Sequence, residues 1–341
     1  MNDGYGGMVE TMTARQPAQV GISRWCRTRH GQIHLKYWSA NTNTNTNTDI
    51  GMGFGNCLSG EGVQLVTPDA GAYGRNVDAV GASANTEPVA ETRDVWGAPS
   101  RTRTAVLLHG MFGSIDVWSA TALNLSRAGL NVLAIDLPGH GDSRAQVRSV
   151  DAVVEAVADV LVAEQPLHPV LVAHSFGSLI AARLLTQHLF AAEALVLLAP
   201  LGMGAEIRRR FIEGILSATD EASLAEALAY LTVRHYRAST SYLRAMLDRL
   251  DEGRPQLTAL VRQLFDASGR VRYRILDCLQ AFEGPQRIVQ GRADAVLPWR
   301  HVLDAPPQTA LHLLPDTGHM PHWEANALTI RLILQTIHSI E

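Results

Sequence analysis

Four short runs of uninterrupted apolar residues do most to limit what this chain can fold into. They are Ala105-Val106-Leu107-Leu108, Val132-Leu133-Ala134-Ile135, Val170-Leu171-Val172-Ala173 and Leu195-Val196-Leu197-Leu198. Arg287-Ile288-Val289 and Leu311-His312-Leu313-Leu314 repeat the form less purely. A strand with one face in water alternates apolar and polar residues, so a continuous run implies burial on both faces, as in a parallel sheet covered by helices. Helical patterns fall between the runs, at Trp118 to Ala128, Asp151 to Glu164, Ser178 to Phe190 and Ala325 to His338. Strand alternating with helix predicts a doubly wound, mostly parallel α/β sheet. With 46% hydrophobic and 18% charged residues, the chain can bury the core such a sheet needs.

The remaining segments divide the chain. Residues 1–20 are expected to be a disordered N-terminus. Residues 21–40 supply the first strands: Ile33, Leu35 and Tyr37 alternate with Gln32, His34 and Lys36, and Gly31 provides the turn of a hairpin over 22–38. Asn41 to Thr48 is four Asn-Thr dipeptides, and the Gly-, Ala-, Asn- and Thr-rich stretch to Ser100 reads as a low-complexity insertion over 41–100. Glu61 to Thr67 could add a stray strand. Residues 101–201 and 286–341 form the core. Between them the strand signal stops from Gly202 to about Glu283, and the chain is helical and arginine-rich, which predicts an inserted helical lid over 202–285.

Composition excludes several classes of function. A formal charge of −4 carries no nucleic-acid footprint. No stretch approaches the roughly 18 consecutive apolar residues of a membrane helix, and the first 20 residues lack the apolar core of a signal peptide. Cys26, Cys57 and Cys278 are too far apart for a metal or redox spacing, and read as structural thiols in a reducing compartment. The expectation is a cytoplasmic protein with no cofactor and no metal, and without nucleic-acid or membrane partners. The sequence leaves its oligomeric state open.

Four motifs carry chemistry, each at the end of an apolar run. After Val170–Ala173 comes His174-Ser175-Phe176-Gly177-Ser178 and then an apolar helix. A sharp strand-to-helix turn of this kind exposes a serine as nucleophile and requires small neighbours. Gly177 meets that need, while Ala173 stands where glycine is usual. The plainer account is a serine capping an ordinary helix. His109-Gly110-Met111-Phe112-Gly113-Ser114 follows the first run, where the backbone amide of Met111, with that of Phe176, would face an oxyanion. Gln290-Gly291-Arg292-Ala293-Asp294 supplies a carboxylate after a late strand, and Gly318-His319-Met320-Pro321 supplies an imidazole after the last. The predicted triad is Ser175, Asp294 and His319: His319 takes the serine proton and Asp294 orients the ring. Ser178 is the next candidate nucleophile. His174 reads as structural, His322 and Glu324 as supports of the His319 loop, Asp136 as a carboxylate that holds a loop, and Arg208-Arg209-Arg210 as a solvated helix face.

These motifs resemble the α/β-hydrolase superfamily across residues 101–341 and the hairpin at 22–38. The stretch Ala199 to Ile207, then Phe211-Ile212-Glu213-Gly214, resembles more narrowly the α/β-hydrolase domain of the E2 acetyltransferase of acetoin-cleaving complexes. In that family a lipoyl domain precedes the hydrolase-like domain, and its lysine carries the lipoyl arm. Here the single lysine is Lys36, within His34-Leu35-Lys36-Tyr37-Trp38, and residues 41–100 hold none, so no lipoyl arm is expected on this chain. The resemblance implies an esterase-like hydrolase working through an acyl-serine, with acyl transfer to a thiol or alcohol as the alternative. A carbon–carbon bond hydrolase or a cofactor-free perhydrolase would use the same triad, and a non-catalytic binding scaffold would not need one.

Overall fold

The computed structural model describes residues 21–40, 102–234 and 238–340. The expected disorder of 1–20, the insertion over 41–100 and the stray strand at 61–67 lie outside the described residues. Strands β1 (Ile22–Thr28) and β2 (Gly31–Trp38) form the predicted hairpin. Its turn depends on Gly31 at φ +123°, a conformation open to glycine. The six apolar runs become β3 (Thr104–Leu108), β4 (Asn131–Ile135), β5 (Pro169–His174), β6 (Ala194–Leu198), β7 (Gln286–Gly291) and β8 (Ala310–Leu314). The eight strands make one sheet in the order β1-β2-β4-β3-β5-β6-β7-β8, with β1, β2 and β4 antiparallel and β3 to β8 parallel.

Side-chain alternation sorts the strands into two cores. Val106 and Leu108, Leu133 and Ile135, and Leu171 and Ala173 point to one face; Ala105 and Leu107, Val132 and Ala134, and Val170 and Val172 point to the other. Helices α1 (Ser119–Arg127) and α9 (Asn326–His338) cover the second face; α2 (Val150–Glu164) and α3 (Phe176–Thr186) cover the first. Every residue of β3, β4 and β6 is buried, which is why their sequences read as unbroken apolar runs. The edge strand β8 departs from that expectation, because four of its five residues are only partly buried. Among the described residues it has a strand neighbour on one side alone, so His312 is accommodated there.

Between β6 and β7 the chain forms α4 (Arg209–Ser217), α5 (Glu221–Leu228), α6 (Thr240–Leu264) and α7 (Leu276–Ala281). Along α6 the buried positions are Leu243, Leu247, Leu250, Leu257, Leu260, Val261 and Leu264, a stripe at helical spacing that faces the core. The remaining helix, α8 (Pro321–Glu324), precedes α9. The strand order reverses at β3, so the loops leaving β3 and β5 lie side by side at the carboxyl end of the sheet, where open α/β sheets place their sites.

Candidate active site

Ser175 sits where β5 turns into α3, at φ +49° and ψ −114°. The turn is possible because of its neighbours. A Cβ at Gly177 would lie 2.3 Å from the Leu108 carbonyl oxygen, and one at Gly110 would lie 3.1 Å from the Ser175 Cβ. The Ser175 N–H donates to the Leu198 carbonyl at 3.0 Å, which ties the turn to β6. Ala173 is fully buried in the apolar core, so its methyl group is accommodated where glycine is usual. The capping account of Ser175 does not hold, because its side chain makes no cap hydrogen bond. Ser178 is buried and its hydroxyl donates to the Ala173 carbonyl at 3.1 Å.

The Ser175 Oγ lies 3.0 Å from His319 Nε2, and His319 Nδ1 lies 2.8 Å from Asp294 Oδ2. The Asp294 carboxylate is fully buried and the His319 side chain is 2% exposed. Asp294 Oδ1 accepts the amides of Val296 and Leu297, both at 2.8 Å, and Oδ2 accepts the Gln290 side-chain amide at 2.9 Å. Burial works to raise the Asp294 pKa. The charge and hydrogen bond of His319, with the two backbone amides, outweigh it and hold the carboxyl below its ordinary range. The sequence-predicted Ser175, Asp294 and His319 are therefore brought together, from three different strand ends, in one hydrogen-bonded chain.

The turn after β3 is fixed from behind. The Leu137 amide donates to His109 Nε2 at 3.0 Å, so the ring proton sits on Nδ1, which donates to the Gly110 carbonyl at 2.8 Å. Burial lowers the His109 pKa to about 3, so the ring stays neutral. The Gly113 amide donates to the same carbonyl at 3.0 Å. The C=O and N–H of a planar trans peptide point in opposite directions. Pinning the Gly110 oxygen to His109 and Gly113 therefore turns the Met111 N–H away from both, and Met111, Ser175 and Phe176 line one pocket together. Phe176 is the first residue of α3, so its amide has no intrahelical acceptor. Asp136 accepts the amides of Ile115 and Asp142 and pairs with His34 Nδ1 at 2.8 Å, which makes it the loop-holding carboxylate expected. His34, Asp136 and Asp142 also bring ligand-type atoms within 4.8 Å, but these hydrogen bonds and the Asp142–Arg249 pair already account for the cluster.

Of the supports around this hydrogen-bonded chain, sequence reasoning named His174, His322 and Glu324 and missed Gln290 and the Leu231 carbonyl. His174 donates from Nε2 to the His319 carbonyl at 2.9 Å, and the Leu231 carbonyl accepts the His319 amide at 2.8 Å. Glu324 accepts the amides of Gly318 and Val233, each at 2.7 Å, which links the His319 loop to the segment after α5. His322 stacks on Trp118 with centroids 4.5 Å apart, and neither of its ring nitrogens has a partner among the described residues. Burial, then the charge of His319, lowers the pKa of His174 well below the ordinary value and that of His322 to about 3. Gln290 and Leu231 gave no signal in the sequence, since neither belongs to a recognisable spacing. The arrangement as a whole can transfer a proton from a hydroxyl to an imidazole whose other nitrogen faces a buried carboxylate.

The alpha/beta hydrolase family profile matches residues 105–332. Among characterised proteins, the chain is similar to the dihydrolipoyllysine-residue acetyltransferase component of the acetoin cleaving system of Pseudomonas putida, 30% identical over 229 residues, 64% of this chain and 59% of that protein. It is 28% identical to the Cupriavidus necator counterpart over 225 residues, 65% of this chain and 60% of that protein. The chain thus spans about 60% of the length of these relatives. It is also 30% identical to the pimeloyl-[acyl-carrier protein] methyl ester esterase of Aromatoleum aromaticum over 241 residues, 63% of this chain and 90% of that protein. The fold resembles a solved carboxylesterase of Bacillus subtilis, with a TM-score of 0.62, 14% identity, and coverage of 93% of this chain and 92% of that one. The eight-stranded sheet and the profile match agree: this chain belongs to the alpha/beta hydrolase family.

Proposed function

We propose that the chain is a carboxylic ester hydrolase working through an acyl-serine intermediate, with Ser175 as nucleophile, His319 as general base and acid, and Asp294 as the acid of the triad. The observation that carries the reading is the continuous hydrogen-bonded chain from Asp294 through His319 to a serine held in a sharp strand-to-helix turn. In this mechanism the Ser175 proton passes to His319 Nε2 as Oγ bonds to the ester carbon. The amides of Met111 and Phe176 receive the oxyanion. The carbon–oxygen bond to the leaving group then breaks, and His319 returns its proton to the departing alkoxide. Water, deprotonated by His319, attacks the acyl-serine, and the carboxylic acid leaves as Ser175 recovers its proton. The helical segment over 202–285 acts as a lid on the pocket. Among the described residues no helix is long and apolar enough to cross a membrane, and the proposal sets the enzyme in the cytoplasm, acting on a small acyl substrate.

Similarity to an acyltransferase component gives a second reading, acyl transfer from the same acyl-serine to a thiol or alcohol. Hydrolysis is preferred because an esterase relative matches over nine-tenths of its own length. Labelling with a fluorophosphonate probe and turnover of simple acyl esters test the reading. Ser175→Ala should lose both while keeping the wild-type melting temperature. Undiminished labelling of that variant would move the nucleophile elsewhere. Competing water against added thiols in the product analysis separates hydrolysis from transfer.

A further inference from the structure

Two cavities meet beneath α6. The reaction pocket, of about 60 Å³, holds Ser175 and His319 and is walled mostly by apolar side chains such as Phe211, Ile212, Leu228 and Leu264. A second cavity, of about 40 Å³, lies between α6 and the loops after β3 and β4, bounded by Ser114, His140, Arg249 and Leu257. Phe112, Gly113, Tyr242 and Met246 line both, so these four residues are the partition between them. Phe112 is fixed by an edge contact with Phe211 at 6.0 Å, and a Cβ at Gly113 would lie 3.0 Å from the Gly110 oxygen. Met246 is partly buried, unbranched and flexible, which makes it the movable part of the wall.

Resting on the ester-hydrolase reading, we propose that Met246 sets the length of the acyl chain, and that the substrates are esters of short, uncharged aliphatic acids. Direction comes from the triad. The leaving oxygen must lie at His319 Nε2 to receive its proton, so the acyl chain extends from the tetrahedral carbon on the side away from His319. The second cavity shares the partition with the reaction pocket but is lined by neither Ser175 nor His319, so it lies beyond the partition from the reacting groups. Length comes from volume. An apolar cavity of about 150 Å³ takes a six-carbon ring such as benzene; the reaction pocket, at about 60 Å³, is less than half that size, and the second cavity adds about 40 Å³. Charge comes from the lining. The reaction pocket contains no Lys, Arg, Asp or Glu, so a carboxylate on the chain would be buried without a partner. Arg249, in the second cavity, is already paired with Asp116 and Asp142.

The test is kcat/KM of the full chain on p-nitrophenyl esters from acetate to dodecanoate, beside acetate esters of alcohols of the same lengths. The wild type should favour butanoate and fall at least about tenfold by octanoate, since one methylene in an apolar pocket is worth about tenfold or more. Met246→Ala should raise the octanoate-to-butanoate ratio about tenfold, and Met246→Trp should lower the butanoate-to-acetate ratio by a similar factor. The dependence on alcohol length should be unmoved in both. Unchanged acyl profiles in well-folded variants, or a shift confined to the alcohol series, would overturn the assignment of Met246. Should Met246→Ala fail to fold, the contraction expected of Met246→Trp still decides the point. A wild type that turns over none of these esters would instead remove the ester-hydrolase reading beneath it.

Discussion

A non-glycine residue at φ +49° and ψ −114° costs about 1–3 kcal/mol of backbone strain, and Ser175 is held there by its hydrogen bond to β6 and by the glycines around it. Asp294 is specified as tightly. Its Oδ1 accepts two backbone amides, so an asparagine at 294 would have to keep its carbonyl oxygen on Val296 and Leu297. The amide nitrogen would then face His319 Nδ1, favouring the tautomer with its proton on Nε2, which cannot accept from Ser175. It would also confront the Gln290 side-chain nitrogen, donor against donor. Asp294→Asn is therefore expected to lower kcat about 10⁴-fold while KM changes little. Steady-state kinetics on an activated ester check this, and a near-wild-type kcat would point to another carboxylate. The three positions of the proposed triad were legible in the sequence because each follows an apolar run in the order Ser, Asp, His. Gln290, the Leu231 carbonyl and the His174 bond to His319 were not, since contacts between side chains and distant backbone leave no spacing to read.

Strands β3 to β6 declared themselves because both faces are buried, whereas β8 at the sheet edge is only partly buried and its sequence correspondingly mixed. The stretch after β6 was legible as helical and without strand signal, but its helices were not legible one by one. Their number and packing depend on side chains that reach between them, and Arg254 is the clearest case. It lies on α6, one-quarter exposed, and its guanidinium donates to the carbonyls of Leu216 and Ala218 at the carboxyl end of α4. The last carbonyls of a helix have no intrahelical partner, and a cation there also suits the helix dipole. Because α4 contributes Phe211 and Ile212 to the pocket wall, loosening its end should be felt by the substrate. Arg254→Ala is expected to cost about 1–3 kcal/mol in urea unfolding, from stranded carbonyls, and to raise KM more than it lowers kcat. Equal stability and an unchanged KM would show that α4 is held by its apolar contacts alone.

At the scale of the whole molecule, the fold buries several histidines in neutral form. Burial lowers the pKa of His109 and His322 to about 3 and that of His140 to about 4, and it takes His174 well below the ordinary value. Unfolded, each would titrate near 6.5. Between those limits the unfolded chain binds more protons than the folded one, so stability is full above about pH 6.5 and is lost as pH falls. Each group contributes up to about 1.4 kcal/mol for each pH unit below that value, so several acting together make a loss that is large beside the total stability of an ordinary domain. The depressed pKa of Asp294 adds a loss only at lower pH, as its carboxylate protonates. Urea midpoints are therefore expected to hold steady from pH 8 to 7 and to fall steeply below pH 6, with acid unfolding near pH 5. His322 offers the cleanest test, because its ring is stacked on Trp118 and neither nitrogen has a partner among the described residues. His322→Phe keeps an apolar ring against Trp118 and removes the group that must stay unprotonated. Its unfolding free energy should depend on pH between 6 and 5 less steeply than the wild type's, by about one proton. A wild-type midpoint that stays flat down to pH 4.5, or a slope that His322→Phe leaves unchanged, would mean that these rings take up protons without opening the core.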